Sequence, residues 1–280
     1  MNFRYVASHA LRLLPRRKLS QAAGYLSDLR LPPTLARVVI GAYARAYRVD
    51  MSDTPERDEP FESFDAFFTR PLRDEARPIE CHVNELVSPS DGRLECAGSI
   101  AADGVIPVKG VSYRVGQLLG DEEFGDRLKG GHFAVVYLSP RDYHRVHSPV
   151  DGVVTSVRGI AGDQFPVNSL GHVCSPTLFE TNKRVVLEVA TQDFGPVAVV
   201  MVGALIVGRI TVSMLPEQRD VTVGVHRIEP ALPVVKGQEL GAFHLGSTAV
   251  VCVGPTHRSE QCDIRSEGPI RMGQSLMRLG

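Results

Sequence analysis

Three kinds of side chain in this sequence have the types and spacing for nucleophilic chemistry. Ser247 stands in Leu245-Gly246-Ser247-Thr248, behind a glycine and ahead of an apolar run. A serine hydroxyl is a weak nucleophile and needs an adjacent base, itself oriented by a third group. Candidate bases are His144 and His147, in Leu138-Ser139-Pro140-Arg141-Asp142-Tyr143-His144-Arg145-Val146-His147-Ser148-Pro149. Residues three apart face opposite ways in a strand and share a face in a helical turn. The bracketing prolines favour an irregular turn from which both rings reach one site. Candidate carboxylates are Asp91, in Ser88-Pro89-Ser90-Asp91-Gly92, and Asp151, in the near-copy Ser148-Pro149-Val150-Asp151-Gly152. Each has a plain structural counterpart: Gly-Ser is a common turn, an Asp in such a turn bonds its own backbone, and a lone histidine is more often structural. Spacing does not choose between the two aspartates.

The elements that must position these groups are short. From about Glu85 onward, β-branched runs alternate with Gly, Pro and Asp: residues 132–138, 153–157, 184–190, 197–202, 220–228 and 248–254. So many strands with turn signals between them predict an α+β protein with a predominantly antiparallel β-sandwich or barrel-like core. The repeated Ser-Pro-x-Asp-Gly, and the recurrence of Val108-Lys109-Gly110 as Val235-Lys236-Gly237, suggest two copies of a hairpin-like unit, as in duplicated biotinyl- or lipoyl-carrier-like hybrid motifs.

Ahead of the strands, Leu19, Ala22, Ala23, Leu26 and Leu29 recur at helical spacing, as do Leu35, Val38, Val39, Ala42, Tyr43 and Ala46. These are two amphipathic helices broken at Pro32-Pro33. Residues 1–50 carry nine arginines and lysines, Arg4 and Arg12 among them, against Asp28 and Asp50; residues 51–80 carry nine acids against four arginines. Basic amphipathic helices suit an anionic membrane surface, and equally suit packing onto the protein's own core. Asp50–Pro60 reads as an acidic linker, and Phe64, Phe67 and Phe68 mark a short docking helix. The division expected is 1–60 for helices and linker, and 61–280 for the β-rich catalytic part.

Composition sets limits. Apolar residues make up 43% and charged residues 22% of 280, ordinary for a globular chain. The longest uncharged apolar run, 195–208, is shorter than the roughly 20 residues a membrane-crossing helix needs. No secretion signal is read at the N-terminus. Five cysteines without a Cys-x-x-Cys pair fit a reducing compartment, small buried hydrophobes and no metal site. Nothing points to a nucleic-acid partner.

Phe67-Phe68-Thr69-Arg70-Pro71-Leu72-Arg73-Asp74-Glu75-Ala76-Arg77-Pro78-Ile79-Glu80, the Asp91 and His147 blocks, Leu178-Phe179-Glu180-Thr181-Asn182-Lys183-Arg184-Val185 and Lys236–Thr248 together resemble the signature stretches of bacterial phosphatidylserine decarboxylases, in order and approximate spacing. The resemblance implies self-cleavage between Gly246 and Ser247 into a beta chain, 1–246, and an alpha chain, 247–280. Ser247 would become a covalent pyruvoyl group, with Asp91 and His147 as charge-relay partners and His144 near the substrate; Asp151 is left as a turn. The mature enzyme would form a Schiff base with phosphatidylserine and release CO2 and phosphatidylethanolamine. It would act as a peripheral homodimer on the cytoplasmic face of the cell membrane.

Two other classes stand beside this one, a hydrolase on the same three residues and a carrier suggested by the duplicated β pattern. A Ser-His-Asp hydrolase would not cut itself, but the Gly-x-Ser-x-Gly elbow is absent. A non-catalytic carrier lacks a Met-Lys-Met setting at Lys109 or Lys236.

Overall fold

The computed structural model describes residues 14–80, 82, 84–167, 169–207, 209–215, 220–256 and 262–280. Arg4, Arg12 and Cys81 lie outside the described residues.

Among the described residues three helices precede the strands: α1 (Arg16–Asp28), α2 (Pro33–Tyr47) and α3 (Phe64–Phe68). Pro33 opens α2, where its missing N–H is no loss. Helix α3 is capped by Ser63, whose hydroxyl accepts from the Ala66 amide at 3.0 Å.

Helix α1 docks with its polar side inward. Ser20 and Ser27 are its buried residues, the Ser20 hydroxyl accepts from the Ile206 amide at 2.9 Å, and Arg16 pairs with Asp163. Its large apolar side chains point out: Tyr25 is 70% and Leu26 63% exposed. Helix α2 buries Ala36 and Ile40 against Phe61 and Phe67, and leaves Leu35, Val38 and Val39 exposed. The apolar stripes read from the sequence are therefore largely the outward faces. No described helix is long and apolar enough to cross a membrane.

The strands that follow are β1 (Glu85–Val87), β2 (Gly92–Ser99), β3 (Val105–Val108), β4 (Val111–Arg114), β5 (His132–Leu138), β6 (Arg145–His147), β7 (Gly152–Ile160) and β8 (Arg184–Ala190). Then come β9 (Pro196–Gly203), β10 (Arg209–Val212), β11 (Gly224–Val234), β12 (Glu239–His244), β13 (Ser247–Val253), β14 (Cys262–Ile264), β15 (Gly268–Ile270) and β16 (Ser275–Leu279). The predicted α+β, antiparallel architecture is what forms. The predicted strand at 220–228 starts late, at Gly224, and runs on to Val234.

The eight-stranded sheet has the order β11-β7-β8-β9-β13-β5-β2-β15, flanked by the three-stranded sheets β10-β12-β6 and β14-β16-β1. This arrangement is duplicated about a line between β9 and β13. Strand β7 sits between β11 and β8 as β2 sits between β15 and β5, and both pairings carry a bulge at the same place, between Val154 and Ser156 and between Leu94 and Cys96. The turns repeat bond for bond. Ser88 Oγ donates to the Ser90 carbonyl and Ser148 Oγ to that of Val150; the Met272 amide donates to Asp91 and the Lys236 amide to Asp151. Ile79 lies against both corners, so close that a Cβ at Gly237 or Gly273 would strike it.

The counterpart of Pro233–Gln238 is thus Pro269–Gln274. Val108-Lys109-Gly110 is not part of the repeat: Lys109 and Gly110 form the hairpin turn between β3 and β4.

The second copy, β6 to β12, is inserted whole between β5 and β13 of the first. Two crossings join the copies. One is 139–144, which ends in His144; the other is Leu245-Gly246, which delivers Ser247 to the centre of the large sheet.

Candidate active site

Strand β13 is buried at every position because the sheet centre is covered on both faces. Its first residue, Ser247, pairs with Leu138 and Gly203 and is 1% exposed. Its hydroxyl oxygen is buried with no hydrogen-bond partner. An unsatisfied buried hydroxyl is costly, and where one persists it calls for a functional account.

The backbone leading to Ser247 is strained. Leu245 has φ +84° and Gly246 φ +20°. A branched residue in the left-handed region costs on the order of 1–3 kcal/mol. Nothing lies within 4 Å of where a Gly246 Cβ would stand, so the approach beside this residue is open. The strained turn is held at its N-terminal end by His244, whose Nδ1 lies 2.7 Å from Asp65 Oδ1 and whose Nε2 lies 3.1 Å from Thr211 Oγ1. The other Asp65 oxygen accepts from Arg209 at 2.8 Å.

The two histidines of the first crossing have separate surroundings. Ser139 and Asp142 close a turn, with Asp142 Oδ2 accepting from the Ser139 amide and hydroxyl at 2.7 Å. The His144 ring lies on Phe68 of α3, centroids 4.1 Å apart, and its Nδ1 donates to the Asp142 carbonyl at 2.8 Å. That bond fixes the tautomer and leaves Nε2 as a bare lone pair, buried and without a partner. Burial pushes the His144 pKa down to about 3, so the ring is neutral.

His147 ends β6. Its Nδ1 donates to the Gly237 carbonyl at 2.8 Å, and its Nε2 accepts from the Tyr143 hydroxyl at 3.0 Å. Burial lowers its pKa as well. It too is a neutral imidazole whose Nε2 is the basic nitrogen.

Asp91 does not hydrogen-bond His147. Its carboxylate is clamped by Arg77, through Nε at 2.9 Å and Nη2 at 2.6 Å, and accepts from the Met272 amide at 2.9 Å. Arg77 also reaches Asp53 at 2.7 Å, which ties the acidic stretch 50–60 to the site. The negative charge of Asp91 is still felt by His147. Asp151 does the equivalent structural work in the second copy, accepting from Lys236 at 2.8 Å.

Arg77, Tyr143, Gly237 and the Asp65–His244 pair were not singled out from sequence. Arg77 and Tyr143 lie inside the quoted stretches, but a backbone carbonyl such as that of Gly237 leaves no signal in residue types. No group of three or more potential metal ligands occurs among the described residues. No disulfide joins the described cysteines; Cys252 is wholly buried and its thiol pKa is pushed up to about 12.

These features mark out a class: a duplicated antiparallel β protein with a buried, unpartnered serine behind a left-handed turn, and two neutral histidines at and just after the crossing from β5 to β6. The family model for phosphatidylserine decarboxylase matches residues 64–278. Among curated relatives, the phosphatidylserine decarboxylase proenzyme of Psychrobacter cryohalolentis is 40% identical over 266 residues, covering 94% of this chain and 95% of that one. The proenzyme of Anaeromyxobacter is 40% identical over 281 residues, 99% of each chain, and that of Pseudomonas aeruginosa 39% over 272 residues, 94% and 93%. The chain belongs to the phosphatidylserine decarboxylase family, a family of decarboxylating enzymes.

Proposed function

We propose that this chain cuts itself between Gly246 and Ser247 and then decarboxylates phosphatidylserine to phosphatidylethanolamine. The observation that carries the reading is the buried, unpartnered Ser247 hydroxyl behind the strained Leu245-Gly246 turn. Ser247 Oγ attacks the Gly246 carbonyl carbon while His147 Nε2 takes the hydroxyl proton. The same nitrogen returns that proton to the departing Ser247 amide nitrogen, and an ester replaces the peptide bond. General-base help is typically worth 10²–10⁴-fold, enough for one intramolecular event in fixed geometry. The Gly237 carbonyl fixes the ring through Nδ1, and the Tyr143 hydroxyl, which holds the Nε2 lone pair, must turn away before that nitrogen takes the proton. Asp91 favours the transient imidazolium through its field rather than by contact.

Loss of the Ser247 α-proton then expels the Gly246 carboxylate, and water displaces the nitrogen as ammonia, leaving a ketone-capped N-terminus at 247. The position fits such a group, since losing a hydroxyl that has no partner breaks no hydrogen bond. The pyruvoyl group supplies the electron sink that decarboxylation of an amino acid needs and no ordinary side chain provides. A neutral ring with a bare Nε2 supports His144 as the group that takes a proton from the substrate ammonium and returns one to the carbon that has lost CO2. The exposed apolar faces of α1 and α2 support a seat in the headgroup layer of a membrane, where this substrate resides.

Mass spectrometry of the purified protein tests the reading. Two pieces, 1–246 and 247–280, with a ketone-blocked N-terminus on the second are expected, and Ser247→Ala should leave one inactive chain. An active preparation that remains a single polypeptide would overturn it.

A further inference from the structure

Most of the arginines drawn into this protein have partners that match their charge or fill their hydrogen-bonding capacity. Arg77 holds Asp91 and Asp53, Arg209 holds Asp28 and Asp65, and Arg16 holds Asp163. Arg184, buried without an anion, donates to the carbonyls of Leu118, Gln117, Glu180 and Asn182.

Arg70 differs. It is 3% exposed, forms no ion pair, and its Nε is buried without an acceptor. Its one hydrogen bond is a long one, 3.4 Å from Nη1 to the Phe67 carbonyl, and its guanidinium lies 5.3 Å from the Phe67 ring centre. A largely buried guanidinium whose Nε has no acceptor and whose one hydrogen bond is long is costly to hold, and it is a demand for an anion.

Its position says which anion. Arg70 lines a cleft of about 480 Å³ together with Arg77, Asp91, Tyr143 and, just beyond α2, Arg48 and Asp50. Two residues earlier, Phe68 carries the His144 ring; Phe67 packs on Tyr43 of α2, ring centres 5.9 Å apart. The segment 67–70 thus joins the catalytic crossing to the helix with the exposed apolar face. A phospholipid reaching this site offers two anions, the serine carboxylate and the phosphodiester. Binding the carboxylate to an arginine would stabilise the ground state of the very group that must leave as neutral CO2, and slow the reaction. The phosphodiester keeps its charge throughout, and a guanidinium can grip it with two parallel donors.

We infer that Arg70 holds the phosphodiester of the lipid headgroup and so sets where the serine amine falls relative to residue 247. The inference rests on the proposed function, but self-cleavage requires no lipid, so the two can fail separately.

The test compares mature wild type with Arg70→Gln and Arg70→Lys, using dihexanoyl phosphatidylserine as substrate. Glycerophosphoethanolamine, which has the phosphodiester and lacks the carboxylate, and inorganic phosphate serve as inhibitors. Both variants are expected to self-cleave as wild type does. Arg70→Gln should raise the substrate KM and the glycerophosphoethanolamine Ki together, by about ten- to a hundredfold, with a smaller change in kcat; Arg70→Lys should fall between. A raised KM with an unchanged glycerophosphoethanolamine Ki would assign Arg70 to the carboxylate and overturn the proposal. So would inhibition by inorganic phosphate alone, unchanged constants, or failure of both variants to mature, which would make Arg70 a structural residue. Absence of cleavage in wild type would instead sink the proposed function.

Discussion

Arg77 grips the carboxylate of Asp91 from two nitrogens, at 2.9 and 2.6 Å, while the nearest polar partners of His147 are the Gly237 carbonyl and the Tyr143 hydroxyl. The carboxylate that the family resemblance pairs with His147 is therefore held by a guanidinium first and acts on the imidazole at a distance. Both members of the ion pair are largely buried, so removing one leaves the other charge uncompensated.

Arg77→Met should destabilise the uncleavable Ser247→Ala protein by about 3–5 kcal/mol, the usual cost of orphaning a buried charge. Adding Asp91→Asn should recover a large part of that loss. In the Ser247 background the double variant should still mature slowly, because the Asp91 share of the negative field at His147 is gone while that of Glu239 remains. Denaturant unfolding and a gel time course measure the two effects, and equal stability of the single and double variants would refute the pairing.

Leu245→Gly tests whether strain is used in cleavage. Glycine adopts φ +84° freely, so in the Ser247→Ala background the substitution should leave stability unchanged or raise it by about 1 kcal/mol, even after glycine's entropic cost. With Ser247 present, cleavage should slow about tenfold as stored energy is lost. Faster cleavage would show that the turn obstructs the reaction.

Acid acts through the two histidines. His144, at about 3, and His147, lowered by burial, both bind protons less readily folded than unfolded. Each contributes stability that is fully present above the ordinary histidine value of about 6.5 and is lost as pH falls toward its folded pKa. Stability should therefore decline from about pH 6.5 downward, and His144→Phe, which preserves the contact with Phe68, should flatten that slope. Cleavage should hold a plateau through neutral pH and fall only on the acid side, where His147 protonates. A rate that dropped with rising pH across 6–8 would require a protonated histidine and contradict the assignment.

The exposed apolar faces can be removed without touching the core. Leu26→Glu with Val38→Glu changes side chains that are 63% and 67% exposed, so folding stability should move by less than about 0.5 kcal/mol per site. Binding to anionic vesicles in a flotation assay should drop severalfold or more, since two apolar anchors are lost and negative charge is added. Undiminished binding would place the membrane contact elsewhere.

Residue order alone marked the strands at 132–138, 184–190 and 248–254, the last forming as Ser247–Val253, because a strand covered on both faces reads as a nearly continuous apolar run. It also marked the two helices and their break at Pro32-Pro33, and offered Ser247, His144, His147, Asp91 and Asp151 as chemical candidates by residue type; the family resemblance alone chose Asp91 over Asp151. Tertiary structure decided the rest. Which face of α1 turns inward depended on Ser20 and Arg16 finding Ile206 and Asp163, partners far away in the chain. The pairing of Pro233–Gln238 with Pro269–Gln274, and not with 108–110, emerged only when both corners closed around Ile79. That Asp91 meets Arg77, that a backbone carbonyl fixes the His147 tautomer, and that Arg70 is buried without an anion are contacts between separate segments. Local spacing carries no record of them, since they arise from inserting one copy of the fold into the other.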